Sequence, residues 1–206
     1  MKYTTATALT VGLLLSACST VKHMPAKEEN IMNQDTQQIA GRPDLTAPEV
    51  LTKVLDFLRY AKSPEDFKIE TAEKVMKLKL LERKDGYSDF YTGNEFRDSD
   101  WGWSINFKKT RYGGGRMDLH FRNEGGYLPA TPICQMDLDQ FHPLIEKAGF
   151  TYTGKGHQGR PFNRYIRTYP NGYESHLQVF YQGESKEKVL HDCIKEISFL
   201  IFKPGI

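Results

Sequence analysis

The chain has 206 residues, and 28 lysines and arginines nearly balance 26 aspartates and glutamates, so its formal net charge is +2 at pH 7. This balance excludes the strongly basic face by which proteins bind nucleic acid, and it leaves no polybasic patch for a membrane surface. Hydrophobic residues make up 39% of the chain, enough for one packed core or two small ones.

The N-terminal segment has the three-part layout of a secretory signal peptide. Lys2 supplies the charged start, an apolar stretch runs from Ala6 to Leu15, and small residues precede Cys18. A membrane-spanning helix needs about 20 apolar residues, and this stretch has only about ten. The sequence therefore predicts export rather than a spanning helix.

The four residues Leu15-Ser16-Ala17-Cys18 resemble the lipobox of bacterial lipoproteins. In that family the cysteine is lipidated on its sulfur, the preceding peptide is removed, and the new N-terminus is acylated. The resemblance implies a lipid anchor at Cys18 in a Gram-negative envelope. Ser19, in place of an aspartate, favours the periplasmic face of the outer membrane. The alternative is an ordinary cleaved signal peptide that leaves a free, reactive thiol.

Polar and charged residues dominate the segment that follows the cysteine, up to residue 43. With few large apolar side chains, this segment cannot bury enough surface to fold. The sequence thus predicts a signal peptide over 1–17, a lipidated N-terminus and flexible tether over 18–43, and one folded domain over 44–206.

The first half of the domain begins with a helix. Thr46 and Glu49 have the spacing of a capping box, and apolar residues then recur at helical spacing to about Ala61. A short helix is expected over 71–77, and Asp85-Gly86 predicts a hairpin turn. Antiparallel strands are expected over residues 87–92, 101–108 and 116–122.

The second half follows the same order. Asp137 or Asp139 is expected to cap a helix that Gly149 ends, and Pro170-Asn171-Gly172 predicts a hairpin turn. Strands are expected over 150–153, 164–169 and 174–181. Residues 184–202 are expected to close the chain as a helix, with an apolar stripe at Val189, Leu190, Cys193, Ile194 and Ile197.

This order predicts an α+β fold. Helices would pack on antiparallel β-meanders in two similar helix-plus-meander halves, and a C-terminal helix would follow. Trp101, Trp103 and Phe107 share one side of a predicted strand by period two, and that side is expected to face the core.

Two further cysteines, Cys134 and Cys193, lie within the domain. Export to an oxidising compartment favours a disulfide between them. Closing a loop of about 60 residues would stabilise the fold by roughly 4 kcal/mol. Two buried free thiols are the alternative.

Residues 154–159 read GKGHQG and match the spacing GxGxxG. The motif binds a pyrophosphate only where it opens a helix, and here a strand is expected after it. The histidines show no metal-ligand spacing, and no serine-nucleophile motif occurs. The sequence therefore predicts no cofactor, no metal and no catalytic residues.

Two segments carry candidate residues for binding a partner. The basic residues of the glycine-rich segment 154–159 and the arginine after it suit an acidic partner. The tyrosines and the arginine of the next predicted strand would resemble the Tyr/Arg-rich centre of a protein interface if the tyrosines face outward. The sequence leaves open which side of this strand faces the core. The candidates are Lys155, His157 and Arg160, and then Tyr165, Arg167 and Tyr169.

These features together predict an outer-membrane-anchored periplasmic lipoprotein, not an enzyme, that binds an envelope protein. The layout resembles exported inhibitor domains of helix-plus-meander units and immunity lipoproteins that neutralise secreted toxins, which implies an inhibitor or an immunity protein. One alternative is a structural or assembly component of the envelope. Another is a wall or lipid hydrolase that joins distant residues such as Asp118, His120 and His176.

Overall fold

Helices and strands alternate in blocks along the part of the chain that the computed structural model describes, residues 44–83, 87–123 and 129–205. The described residues belong to one compact unit. The predicted signal peptide, lipobox and tether, and the Asp85-Gly86 turn, lie outside them. Among the described residues, no helix is both long enough and apolar enough to cross a bilayer.

Three helices form where the sequence predicts them. Helix α1 spans Ala47–Tyr60, helix α2 spans Ile69–Met76, and helix α3 spans Leu138–Lys147. The backbone amide of Thr46 donates to Glu49 Oε2 at 2.7 Å, and Asp137 Oδ1 accepts from the backbone amide of Gln140 at 2.8 Å. These bonds satisfy amides that a helix N-terminus leaves unpaired. Single 3₁₀ turns occur at Pro64–Asp66 and Thr131–Ile133.

Eight strands form one antiparallel sheet. They are β1 Leu81–Glu82, β2 Phe90–Glu95, β3 Trp101–Lys109, β4 Gly115–Asn123, β5 Thr151–His157, β6 Pro161–Thr168, β7 Glu174–Gly183 and β8 Asp192–Phe202. Their order across the sheet is β1-β2-β3-β4-β8-β7-β6-β5. The last strand of the chain therefore lies in the middle, between β4 and β7.

The predicted C-terminal helix is wrong. Residues 192–202 form strand β8, and two members of the predicted apolar stripe, Val189 and Leu190, are 61% and 93% exposed in the loop before it. Buried Ile197, Phe199 and Ile201 alternate with less buried neighbours, which is the period of a strand. Isoleucine and phenylalanine also favour a pleated, half-buried surface.

The predicted fold class is wrong for the same reason. Strand β8 pairs along one edge with β4 and along the other with β7. The two meanders are thus one continuous eight-stranded sheet, not two separate helix-packed halves. A strand has two hydrogen-bonding edges and can join two blocks of strands, which a terminal helix cannot do.

The helices pack on one face of this sheet. Phe57 of α1 lies 5.1 Å from Phe107 of β3, between ring centroids, and Phe67 stacks on Phe199 of β8 at 5.8 Å. Arg167 of β6 donates from Nη1 to the carbonyl oxygens of Leu58 at 3.2 Å and Ala148 at 2.6 Å. One arginine thereby binds the C-terminal ends of both α1 and α3, where helix carbonyls lack partners.

Cys134 and Cys193 lie at disulfide distance, as the sequence predicts, with their Cα atoms 4.7 Å apart and a sequence separation of 59. The bond joins the segment before α3 to the start of β8. It therefore holds the central strand, rather than the predicted terminal helix, against the helix layer.

Candidate functional site

The sheet has one face under the helices and one face that no helix of the described residues covers. Strand β4 shows both faces because its side chains alternate. Its apolar residues are buried toward the helices, and its polar residues are less buried on the other side. The first set is Met117, Leu119 and Phe121, and the second is Arg116, Asp118, His120 and Arg122. We call the second side the uncovered face.

A groove of about 420 Å³ lies in the middle of the uncovered face. It follows the neighbouring strands β7 and β8, and the hairpin between β5 and β6 forms part of its wall. We call it the central groove. Its lining residues are Arg116 of β4, His176, Gln178 and Phe180 of β7, Glu196, Ser198 and Leu200 of β8, and Gln158 and Arg160 of the hairpin.

Ion pairs hold the charged groups around the groove. Arg160 donates from Nη2 to Glu196 Oε2 at 2.7 Å, and His120 Nδ1 lies 3.5 Å from the same oxygen. Arg116 donates from Nε to Asp118 Oδ2 at 2.7 Å. Burial raises the pKa of Glu196, but its hydrogen bonds with His120 and Arg160 and the charges of both outweigh burial, and the pKa lies below its usual value. Glu196 is therefore a carboxylate at neutral pH.

An aromatic pair supports the hairpin end of the groove. The rings of Phe162 and Phe180 lie 5.0 Å apart, and the guanidinium of Arg160 lies 5.2 Å from the centre of the Phe180 ring. A Cβ atom on Gly156 would overlap the ring of Phe162. Glycine at this position thus lets strand β5 approach Phe162 closely.

Two neutral polar side chains in the groove have unused hydrogen-bonding capacity. Gln178 and Ser198 face each other across β7 and β8, and neither side chain has a hydrogen-bond partner among the described residues. Beside the groove, Ser104 Oγ, Asn106 Nδ2 and Asp118 Oδ1 are buried without a partner in the described part of the chain. Buried polar atoms are normally paired, so this face has donors and acceptors to offer a ligand or water.

The structure brings only part of the predicted binding set to this face. Arg160 lines the central groove. Lys155 and His157 lie on β5, the last strand of the sheet, where Lys155 is opposite Asn163 and thus on the helix side of the pleat. Strand β6 follows residues 154–159, so the segment does not open a helix.

The other three predicted residues face the helices. Tyr165 and Tyr169 are buried, and burial raises the pKa of Tyr165 to about 12. Tyr169 donates to the carbonyl oxygen of Ala61 at 3.0 Å, and Arg167 binds the helix ends. These side chains hold the fold together and lie away from the uncovered face.

The three residues considered for a hydrolase do share the uncovered face. Each has a different partner, however: Asp118 binds Arg116, His120 lies beside Glu196, and His176 Nε2 lies 2.5 Å from Glu174 Oε1. They are not bonded to one another, so they do not form a relay of the kind that activates a nucleophile.

A second polar cluster lies beside the disulfide. His191 Nδ1 is 2.7 Å from Glu184 Oε2, and His191 Nε2 is 3.0 Å from Asp137 Oδ2. Hydrogen bonds with Glu184 and then Asp137 raise the pKa of His191. Hydrogen bonds from His191, Thr131 and Lys188 lower the pKa of Glu184 to about 2. The cluster fastens the loop before β8 to the N-terminus of α3.

The same cluster contains a set of possible metal donors, because one donor atom each from Cys134, His191 and Cys193 lies within 4.8 Å of the others. The two sulfur atoms are at bonding distance from each other, whereas a metal needs free thiolates. Both nitrogens of His191 face carboxylates. We therefore assign the cluster to stability.

The sequence reasoning missed Arg116, Gln178, Glu196 and Ser198. The alternation of polar and apolar residues along β4 places Arg116 beside Asp118 and His120. The same alternation on residues 196–200 would have placed Glu196 and Ser198, had that segment been read as a strand. Comparison with protein-family models, curated proteins and solved structures finds no match for the chain.

Proposed function

We propose that the protein is a lipid-anchored component of the bacterial envelope that binds another protein through the uncovered face. The observation that carries this proposal is the central groove, where two half-exposed arginines and unpaired polar side chains lie together on the uncovered face, supported by the buried pair Phe162 and Phe180. Arginine is enriched at the centres of protein interfaces.

The two faces of the sheet have different roles in this proposal. The helix side holds the core, the disulfide and Arg167, so it maintains the fold. The uncovered face contributes little to that core, and Gln178 and Ser198 on it keep hydrogen-bonding groups that a partner could match. A rigid sheet presents these side chains in a fixed arrangement, which lowers the entropy cost of binding.

The anchor rests on the sequence. Our proposals for the residues that precede the described domain are lipidation of Cys18, a location at the periplasmic side of the outer membrane, which Ser19 in place of an aspartate favours, and a tether over 18–43. Two or more acyl chains hold a protein stably at a bilayer. Within this setting we favour an inhibitor or a toxin-immunity protein, since such proteins act by occupying a partner's surface.

Site-specific photocrosslinking in cells tests the binding face. A photoreactive amino acid at Gln178 should give a discrete adduct with an envelope protein. The same amino acid at Lys74, an exposed residue of α2 on the helix side, should not. Equal adducts from both positions, or an adduct from Lys74 alone, would contradict the assignment of the face.

The anchor has its own test. Mass spectrometry of the purified mature protein should find an acylated N-terminus at Cys18, and Cys18→Ala should release the protein from the outer-membrane fraction. An unmodified Cys18 thiol would leave the binding face intact but remove the proposed anchor.

A further inference from the structure

One of the residues that line the central groove is a carboxylate, Glu196. Glu196 accepts from Arg160 at 2.7 Å, and its charge also acts on Arg116 across the groove. The side chain of Glu196 is only 13% exposed, whereas those of Arg160 and Arg116 are 50% and 49% exposed. The two arginines are therefore open to solvent, whereas the Glu196 carboxylate is largely buried.

Both arginines have N–H donors that their ion pairs do not use. The pair with Glu196 uses one terminal nitrogen of Arg160, and the pair with Asp118 uses only Nε of Arg116. A guanidinium has five N–H donors and binds a carboxylate best through two of them. Arg116 can thus donate to a further carboxylate oxygen while it keeps Asp118, and Arg160 can donate two hydrogen bonds to one once its Nη2 leaves Glu196.

The rest of the lining suits an amino-acid side chain. Gln178 and Ser198 offer neutral donors that have no hydrogen-bond partner among the described residues, and the half-buried Leu200 offers apolar surface. Asp118 and Glu196 place two negative charges near the arginines. They oppose a dianionic phosphate more strongly than a carboxylate with a single charge.

We propose that the central groove binds the side-chain carboxylate of an acidic residue on the partner protein, with Arg116 and Arg160 as its ion-pair partners, and that this carboxylate displaces Glu196 from Arg160. This inference rests on the proposed function and names the chemistry of the partner. Glu196 keeps His120 as a neighbour when Arg160 turns to the incoming group. In the free protein, the Glu196 carboxylate thus occupies the position on Arg160 that the partner's carboxylate would take.

Two blocked peptides test the inference on the full-length mature protein in detergent micelles. The first is acetyl-Gly-Phe-Glu-Leu-Gly-amide, whose only carboxylate is the glutamate side chain, and the second has glutamine in its place. We expect the first peptide to shift the Nε–Hε resonances of Arg116 and Arg160 saturably. The glutamine peptide should bind at least about tenfold more weakly, because a charge-assisted hydrogen bond is lost.

Three variants make the test specific. Arg116→Gln should weaken binding of the glutamate peptide about tenfold, and Arg59→Gln should not change it. Arg59 is the matched control because it lies on α1, binds a single aspartate and is 45% exposed. Glu196→Gln should tighten binding, because it removes the internal competitor for Arg160. A residue that only positioned Arg160 would weaken binding when replaced.

Several results would overturn the inference. They are equal binding of the two peptides, weaker binding to Glu196→Gln when its resonances show an unchanged fold, and tighter binding of inorganic phosphate than of the glutamate peptide. Each of these would leave a crosslink from Gln178 possible. The carboxylate proposal can thus fail while the binding face itself stands.

Discussion

Arg160 and Glu196 are joined by a 2.7 Å hydrogen bond between Nη2 and Oε2, although they are 36 positions apart in sequence. Arg160 lies in the turn between β5 and β6, and Glu196 lies on the central strand β8. The pair therefore fixes the outer hairpin over the middle of the sheet.

Stability should depend on pH through the cluster of Glu184 and His191. The pKa of Glu184 falls to about 2 from an ordinary 4.5, so its contribution is complete above pH 4.5 and disappears as pH falls toward 2. The pKa of His191 is raised from 6.5, so its contribution is complete below pH 6.5 and disappears as pH rises through the raised pKa. The cluster should stabilise the fold most between pH 4.5 and 6.5.

Denaturant unfolding at several pH values checks this. Glu184→Gln should flatten the acid side of the stability curve, and His191→Asn should flatten the alkaline side. His157→Asn is the control because His157 is exposed on β5. A curve for His191→Asn that matches the parent protein on both sides would refute the assignment.

Arg167→Lys should destabilise the domain by about 1–3 kcal/mol, because a lysine cannot bind both helix carbonyls and stack on Tyr169 as the guanidinium does. The free energy of unfolding from a urea titration measures the loss. Arg164→Lys, at an exposed position of the same strand, should change it much less. Equal losses from both variants would show that Arg167 does not join the helix ends.

Replacing both Cys134 and Cys193 by serine should lower the free energy of unfolding by about 4 kcal/mol, the chain-entropy value for a loop of this length. Peptide mapping without reductant should first show the two cysteines linked. Finding both as free thiols in protein isolated from the envelope would contradict the pairing.

A charged substitution should have little effect on stability in the loop before β8 and a large effect within the strand itself. Leu190→Asp should change the free energy of unfolding by less than about 0.5 kcal/mol because Leu190 is 93% exposed. Ile197→Asp should unfold the domain, since it buries an unpaired carboxylate. A large effect of Leu190→Asp would support the helix that the sequence predicted there.

This segment shows what sequence reasoning could and could not decide. Apolar residues at 189, 190, 193, 194 and 197 fit a helical stripe, while those at 197, 199 and 201 fit a strand. Local periodicity supports both readings. The choice is made by β4 and β7, whose edges supply hydrogen bonds to β8 from distant parts of the chain.

The candidate site was predictable only in part for the same reason. Capping signals were sufficient to place α1 and α3, because such signals are local. The groove depends on the register that sets His120 opposite Glu196 and on the hairpin that returns Arg160 to β8. Neither relationship can be predicted from a short stretch of sequence, because each joins residues that are far apart in the chain.

The most direct test of the binding face combines the crosslink with a charge change. With the photoreactive group at Gln178, the yield of the adduct should fall several-fold in Arg116→Gln and stay unchanged in Arg59→Gln. An adduct of equal yield in both variants would contradict the account, because the groove's arginines would then play no part in holding the partner.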